Sequence, residues 1–172
     1  MTDYGHELEF GLFPSPDAAR AQHVLELAAV AEVSGLDLVT VQDHPYQARH
    51  LDAWTLLSVV LAGSVASLDV LSGGRVELGI GTGAFWDGIE AAGGVRLAPG
   101  EAVEALEEAI AVIRAMWVGE GSVRLDGAHH RARGLHSGPA PVHPVGIWVG
   151  AYKPRMLRLT GRLADGWLPS RG

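Results

Sequence analysis

Three short stretches of this 172-residue sequence carry residue types that could do chemistry. In Arg75-Val-Glu-Leu-Gly-Ile-Gly-Thr-Gly-Ala84 an apolar run leads straight into glycines. Small residues after a strand leave backbone N–H groups bare, and several in a tight turn form a positive concavity that holds an anion. The expected ligand of Gly81, Thr82 and Gly83 is therefore a phosphorylated cofactor, against the plainer reading of a glycine turn. Gln42-Asp43-His44-Pro45 follows a second apolar run. An imidazole there can donate or accept a proton near neutral pH. His44 is the candidate for proton chemistry and Asp43 a positioning group; the bland alternative has Asp43 capping a turn while His44 packs a loop. Gly150-Ala-Tyr-Lys-Pro154 sets small residues ahead of a helix start, where free N–H groups and the dipole favour an anion. Lys153 could add charge, although an ordinary strand-to-helix turn also reads this way.

These stretches need elements that bring them to one side of a molecule. Leu8 to Phe13 reads as a strand, broken by Pro14-Ser-Pro, with Asp17 as the cap of a helix. Val24, Leu27, Ala28 and Ala31 keep the helical period, and Ser34-Gly35 ends it. Leu36 to Val41 is a second strand, so the first 41 residues form a strand–helix–strand unit with parallel strands. A helical pattern then runs from about Asp52 to Leu71, Ser72-Gly-Gly74 stops it, and Arg75 to Ile80 is a strand. Pro99-Gly-Glu101 opens an amphipathic helix carrying Val103, Leu106, Ile110, Ile113, Met116 and Trp117. Residues 119–144 read as a polar excursion with Val123–Leu125 as one arm of a hairpin, after which Val145 to Val149 resumes the strand pattern. Pro154 opens a last helix and Gly166–Leu168 a last strand. Alternation of this kind builds an open doubly wound sheet or a (β/α) barrel. Both put ligands at the carboxyl ends of the strands, which is where all three stretches fall.

Composition narrows the partners. A formal net charge of −7 disfavours a nucleic-acid surface, which needs clustered cations. There is no cysteine, so thiolate chemistry and disulfides are excluded. The start lacks a basic segment ahead of an apolar core and no apolar run reaches the ~18 residues of a membrane helix, so a cytoplasmic protein with a small-molecule substrate is expected. His129, His130, His136 and His143 are irregularly spaced and do not read as a metal site. Asp69, Ser72 and Arg75 flank a helix-to-strand turn and read as its closure. Phe85 and Trp86 are either core or a wall for an aromatic cofactor.

Taken together and in order, the stretches resemble the luciferase-like monooxygenase family of flavin and deazaflavin oxidoreductases. The likeness rests on Gln-Asp-His-Pro-Tyr at 42–46, Ser-Leu-Asp-Val-Leu-Ser-Gly-Gly-Arg-Val-Glu-Leu-Gly-Ile-Gly at 67–81 and Gly-Ala-Phe-Trp at 83–86. Pro-Gly-Glu-Ala-Val-Glu-Ala-Leu-Glu-Glu at 99–108 and the stretch from Gly150 to Trp167 extend it. The resemblance implies an α/β fold of the TIM-barrel type, one domain over 1–172, binding FMN or the deazaflavin coenzyme F420. By matching position it implies His44 beside the ring with Asp43 next to it, Gly81, Thr82 and Gly83 in the cofactor loop, and Gly150 and Ala151 in the phosphate-binding turn. In the family's sugar-phosphate dehydrogenases a glutamate follows the Gly-Thr-Gly; here Ala84 stands there, which argues against that activity.

Two departures shape the expectation. Val60-Leu-Ala-Gly-Ser64 joins two helical stretches directly where family members carry another strand, and the sequence ends at Gly172 after what reads as a sixth strand, while full barrels take about 250 residues. The expected fold is thus an incomplete barrel lacking one internal strand and the C-terminal strands. Exposed sheet edges invite pairing, so a homo-oligomer is expected. The alternative reading is a truncated, non-catalytic folding or assembly unit. A Rossmann-type dinucleotide site on Gly79, Gly81 and Ala84 is disfavoured because Gly93-Gly94 and Pro99 interrupt the helix it would need.

Overall fold

The computed structural model describes residues 9–15, 20–40, 58–83, 86–91, 95–119, 121–136 and 138–169. They fall into two compact units, Met1–Trp54 and Thr55–Gly172. In the first, β1 (Gly11–Leu12) and β2 (Leu38–Val39) pair in parallel through α1 (Ala21–Val33), giving the expected strand–helix–strand unit. Both strands are shorter than the apolar runs suggest. At one end the Asp37 carboxylate takes the Phe10 N–H at 2.8 Å, closing the pair with a side chain. Helix α1 ends as its glycine implies: Gly35 has φ 73° and the Leu36 N–H reaches back to the Ala31 carbonyl at 3.1 Å. The proposed cap Asp17 lies outside the described residues.

The second unit comprises α2 (Ser58–Ser72), β3 (Leu78–Ile80), α3 (Trp86–Ala91), α4 (Pro99–Trp117), β4 (Ser122–Asp126), β5 (Arg131–His136), β6 (Ile147–Ala151), α5 (Pro154–Leu163) and β7 (Gly166–Pro169). A parallel sheet of order β3-β6-β7 forms its centre. Side chains alternate across a strand, so Leu78, Ile147, Val149 and Ala151 all point to one face, where they are buried. Against that face lies the apolar side of α4, with Leu106, Ile110 and Ile113 at its middle. The Trp117 indole donates to the Ala62 carbonyl at 3.1 Å and ties α4 to α2. At its start the Glu101 carboxylate returns to the Ala98 N–H at 2.8 Å, half of a capping box. The polar side of α4 is bound to α5 through Glu104–Arg155 and Glu107–Arg162, each at 2.9 Å.

Three expectations are corrected. Strand β3 starts at Leu78, not Arg75: Gly73 and Gly74 turn the chain with φ of 73° and 84°, and the N–H groups of Arg75 and Val76 bond the Ser72 and Asp69 side chains instead of a neighbouring strand. Strand β6 is shifted to Ile147–Ala151, so Gly150 and Ala151 belong to the strand and not to a turn. Pairing with β7 carries it on, Gly150 opposite Leu168 and Ala151 opposite Pro169. Helix α3 was not anticipated. Arg96 fastens it by bonding the carboxylates of Glu90 and Asp87 at once, contacts that raise the pKa of its guanidinium. The 119–144 excursion is the expected hairpin, β4 antiparallel to β5 with Val123–Leu125 in the first arm. Among the described residues no helix is long and apolar enough to cross a membrane.

Candidate functional site

Strands β3 and β6 are parallel neighbours, with Leu78 beside Ile147 and Ile80 beside Val149. Their carboxyl ends therefore emerge side by side. A Cβ placed on Gly81 would lie 3.9 Å from the Gly150 carbonyl oxygen, with nothing closer. Two of the three stretches singled out by residue type thus meet at one end of the sheet. The face of these strands opposite the core carries Gly79, Gly81 and Gly150; the Leu168 side chain lies against Gly79, within 3.2 Å of where a Cβ would stand, and Gly81 is left open. The paired glycines of the loop serve different ends. Gly83 has φ 77° and a Cβ there would press within 2.9 Å of Ile89 Cδ1, so the turn itself requires glycine. Gly81 has no positive φ and open space beside it; what its missing side chain leaves is room.

Past the end of β3 opens a cleft of about 220 Å³. Gly81 and Thr82 form one lip, Trp86 and Ile89 of α3 one wall, and Ala102 and Ala105 of α4 the other. Small residues on α4 make the space, and His130 reaches it from the tip of the β4–β5 hairpin. That tip is held by a single carboxylate. Glu108 accepts the N–H groups of Ala128, His129 and His130 at 2.8, 2.9 and 2.8 Å. Partial desolvation raises its pKa, but the three N–H bonds outweigh this and leave it below the usual value. Gly127 is the residue that lets the chain come this close, since a Cβ there would overlap the Glu108 carboxylate. Glu108→Ala is expected to cost about 1–3 kcal/mol and to speed hydrogen exchange at the 128–130 amides while leaving those of α4 protected.

At the opposite end of the sheet a chain of polar groups fixes the loops that enter β3 and β6. Asp69 of α2 has no solvent exposure. One carboxylate oxygen takes the Val142 and His143 N–H groups at 2.8 and 3.2 Å; the other takes the Val76 N–H at 3.4 Å and lies 2.7 Å from His143 Nδ1. That last approach is off the line of a good hydrogen bond and acts as an ion-pair contact. His143 Nε2 continues to Glu77 at 3.3 Å, and Glu77 accepts the Trp148 indole N–H at 2.8 Å. Asp69 raises the His143 pKa, burial opposes this and Glu77 adds to the rise. For Asp69 burial pushes the pKa up, and the bonds from His143, Val142 and Val76 bring it below its ordinary value. Ser72 accepts the Arg75 N–H at 3.2 Å, so Asp69, Ser72 and Arg75 close the turn as their positions imply.

Of the residues with an expected role, Gly81, Thr82 and Gly83 form the loop after β3, Gly150 and Ala151 end β6, and Asp43 and His44 lie outside the described residues, as does Phe85. Trp86 is a cleft wall, half-buried. The sequence reading missed His130 as a cleft residue. Its only signal was a histidine at a hairpin tip, and the Glu108 anchor that aims it lies 22 residues away.

The helix after β6 adds a polar end. Helix α5 has no side-chain cap on its N-terminus, where Lys153 precedes Pro154 and leans over the Tyr152 ring at 5.5 Å. A family model described as luciferase-like monooxygenase matches residues 58–171, the part that contains both glycine strand ends and the cleft. The chain belongs to this family. Among curated relatives, it is similar to F420-dependent glucose-6-phosphate dehydrogenases, at 28% identity in Gordonia bronchialis and 31% in Beutenbergia cavernae. Each match covers 96% of this chain and 58% or 57% of the relative, so the chain spans little more than half the length of the family members it matches. The first match extends over 198 positions, more than the 172 residues here, so that relative carries residues inside the match that have no counterpart in this chain. A phthiodiolone/phenolphthiodiolone dimycocerosates ketoreductase of Mycobacterium bovis is 39% identical over 69% of this chain and 31% of its own length. Among solved structures, an F420-dependent secondary alcohol dehydrogenase in complex with an F420-acetone adduct superposes with a TM-score of 0.80 at 21% identity, covering 94% of this chain and 58% of that one. A monooxygenase from Streptomyces bottropensis gives 0.69 over 90% and 57%. These likenesses fix the fold: the parallel strands and helices seen here are those of part of a luciferase-like TIM barrel.

Proposed function

We propose that the chain is a luciferase-like oxidoreductase that holds FMN or coenzyme F420 at the carboxyl ends of β3 and β6. The observation that carries this reading is the adjacency of Gly81 and Gly150, two glycines that open one patch of backbone to a flat ligand. The residues fit such a group. Gly81 has open space beside it where a ring would approach, and the uncapped start of α5 behind Ala151 offers N–H groups to a phosphate. Gly81, Thr82, Gly83, Gly150 and Ala151 are assigned to the cofactor. His44, with Asp43 beside it, is assigned to proton transfer on the strength of the Gln42–Tyr46 match alone. Bound there, the ring would supply hydride or oxygen chemistry, while the protein binds, orients and shields.

Titration of the purified chain with FMN and with F420, followed by cofactor fluorescence, tests the reading. Saturable binding of either supports it, and no binding of either at high micromolar protein removes it. Gly81→Leu is the matched variant. It should fold, because the backbone at Gly81 admits a side chain and nothing lies within 3.9 Å, yet weaken cofactor binding at least tenfold, about 1.4 kcal/mol, by filling the patch.

A second reading is favoured by one observation, the relatives' internal residues that have no counterpart here. In it the chain keeps the layers of the fold and serves as an assembly unit without turnover. A stable oligomer that binds neither cofactor would favour this reading over the first.

A further inference from the structure

The outward face of the β4–β5 hairpin sets two arginines directly opposite each other. Arg124 and Arg133 are register partners, so their side chains leave the same face of the ribbon, about 5 Å apart at Cβ, and both are exposed. Like charges facing each other across antiparallel strands are unfavourable. Arg96, Arg114, Arg155 and Arg162, by contrast, each contact a carboxylate. Among the described residues Arg124 and Arg133 have no acidic partner. The two arginines are a local pair of positive charges in a chain of net charge −7. Their spacing is itself shaped. One residue, Gly134 at φ 71°, is extra on β5, and the register shifts between Val123 and Arg124. A bulge of this kind raises the local twist and re-aims the side chains beside it.

We propose that Arg124 and Arg133 form a binding site for a phosphate-type dianion. A guanidinium is a planar fork of N–H donors that matches two oxygens of a phosphate, and two forks side by side can share one tetrahedral ion. The ion neutralises both cations and turns their repulsion into a bridge between the two hairpin arms. Chloride has one centre and cannot span both forks with paired bonds.

The test is the thermal midpoint of the full chain in inorganic phosphate against sodium chloride at matched ionic strength, with phosphorus-31 line broadening as a second reading. The parent should show a saturable rise specific to phosphate, half complete on the order of 1 mM. Arg124→Gln/Arg133→Gln should lose the rise and the broadening, while its midpoint without phosphate equals or exceeds the parent's because the repulsion is gone. Arg124→Lys, which keeps charge but not the fork, should shift the half-point several-fold upward and guards against misfolding of the double variant. If chloride reproduces the rise, or the double variant keeps it, or the parent shows none, the proposal is overturned. The double variant keeps this test distinct from the cofactor titration, because it leaves Gly81, Gly150 and the start of α5 unchanged.

Discussion

Asp69→Ala should lower the free energy of unfolding by about 2–4 kcal/mol in denaturant titrations, the largest loss of stability expected from any single polar residue here. The carboxylate accepts three backbone N–H groups, from Val76, Val142 and His143, and all three lose their partner at once. Two of those amides belong to the loop entering β6 and one to the turn entering β3, so the strand ends that carry the glycines are loosened from behind. The loss stays below the upper end of the range for buried ion pairs, because His143 remains partly exposed at 27% and water can reach the orphaned imidazole. The same pair gives stability a pH profile. His143 has a folded pKa above its ordinary 6.5, so its contribution is complete below about 6.5 and fades as pH rises through the folded value. Asp69 has a folded pKa below its ordinary 3.8, so its contribution is complete above about 3.8 and fades as pH falls through the folded value. Between these limits both contribute in full. His143→Gln should flatten the alkaline decline; an unchanged decline would show that another group sets it.

His44→Ala is expected to reduce turnover by about 10²–10⁴-fold with little change in cofactor affinity, the range for loss of a positioned acid or base. The separation of the two readouts decides the role. A fall in affinity with turnover per bound cofactor unchanged would make the imidazole a contact residue, and equal activity would make it packing. Asp43→Asn is the companion variant: a positioning group should shift the pH profile of turnover and leave its maximum within a factor of ten.

Much of the molecule was legible from residue order. Glycines at 35, 73 and 74 end helices and open turns because only they accept positive φ without strain, and they are local signals. The period of α4 was equally plain, since a helix that buries one side must repeat its apolar residues every three or four positions. Strand ends were read less well. Gly-Ala at 150–151 has no propensity for a strand, and only the hydrogen bonds offered by β7 carry β6 through it. Helix α3 escaped notice for a related reason: Gly88 lies within it, and the Arg96 clasp that holds it comes from outside.

By itself the sequence determined the alternation of strands and helices, the glycine loop after β3 and the family signature, all of which rest on neighbours a few positions apart. Only the tertiary structure decided that Gly81 and Gly150, 69 residues apart, share one end of the sheet, that Glu108 brings His130 to the cleft, and that Arg124 faces Arg133. These juxtapositions depend on strand register and on which N–H groups a buried carboxylate collects. Such pairings are settled by the burial of the whole core at once, and no local pattern encodes them.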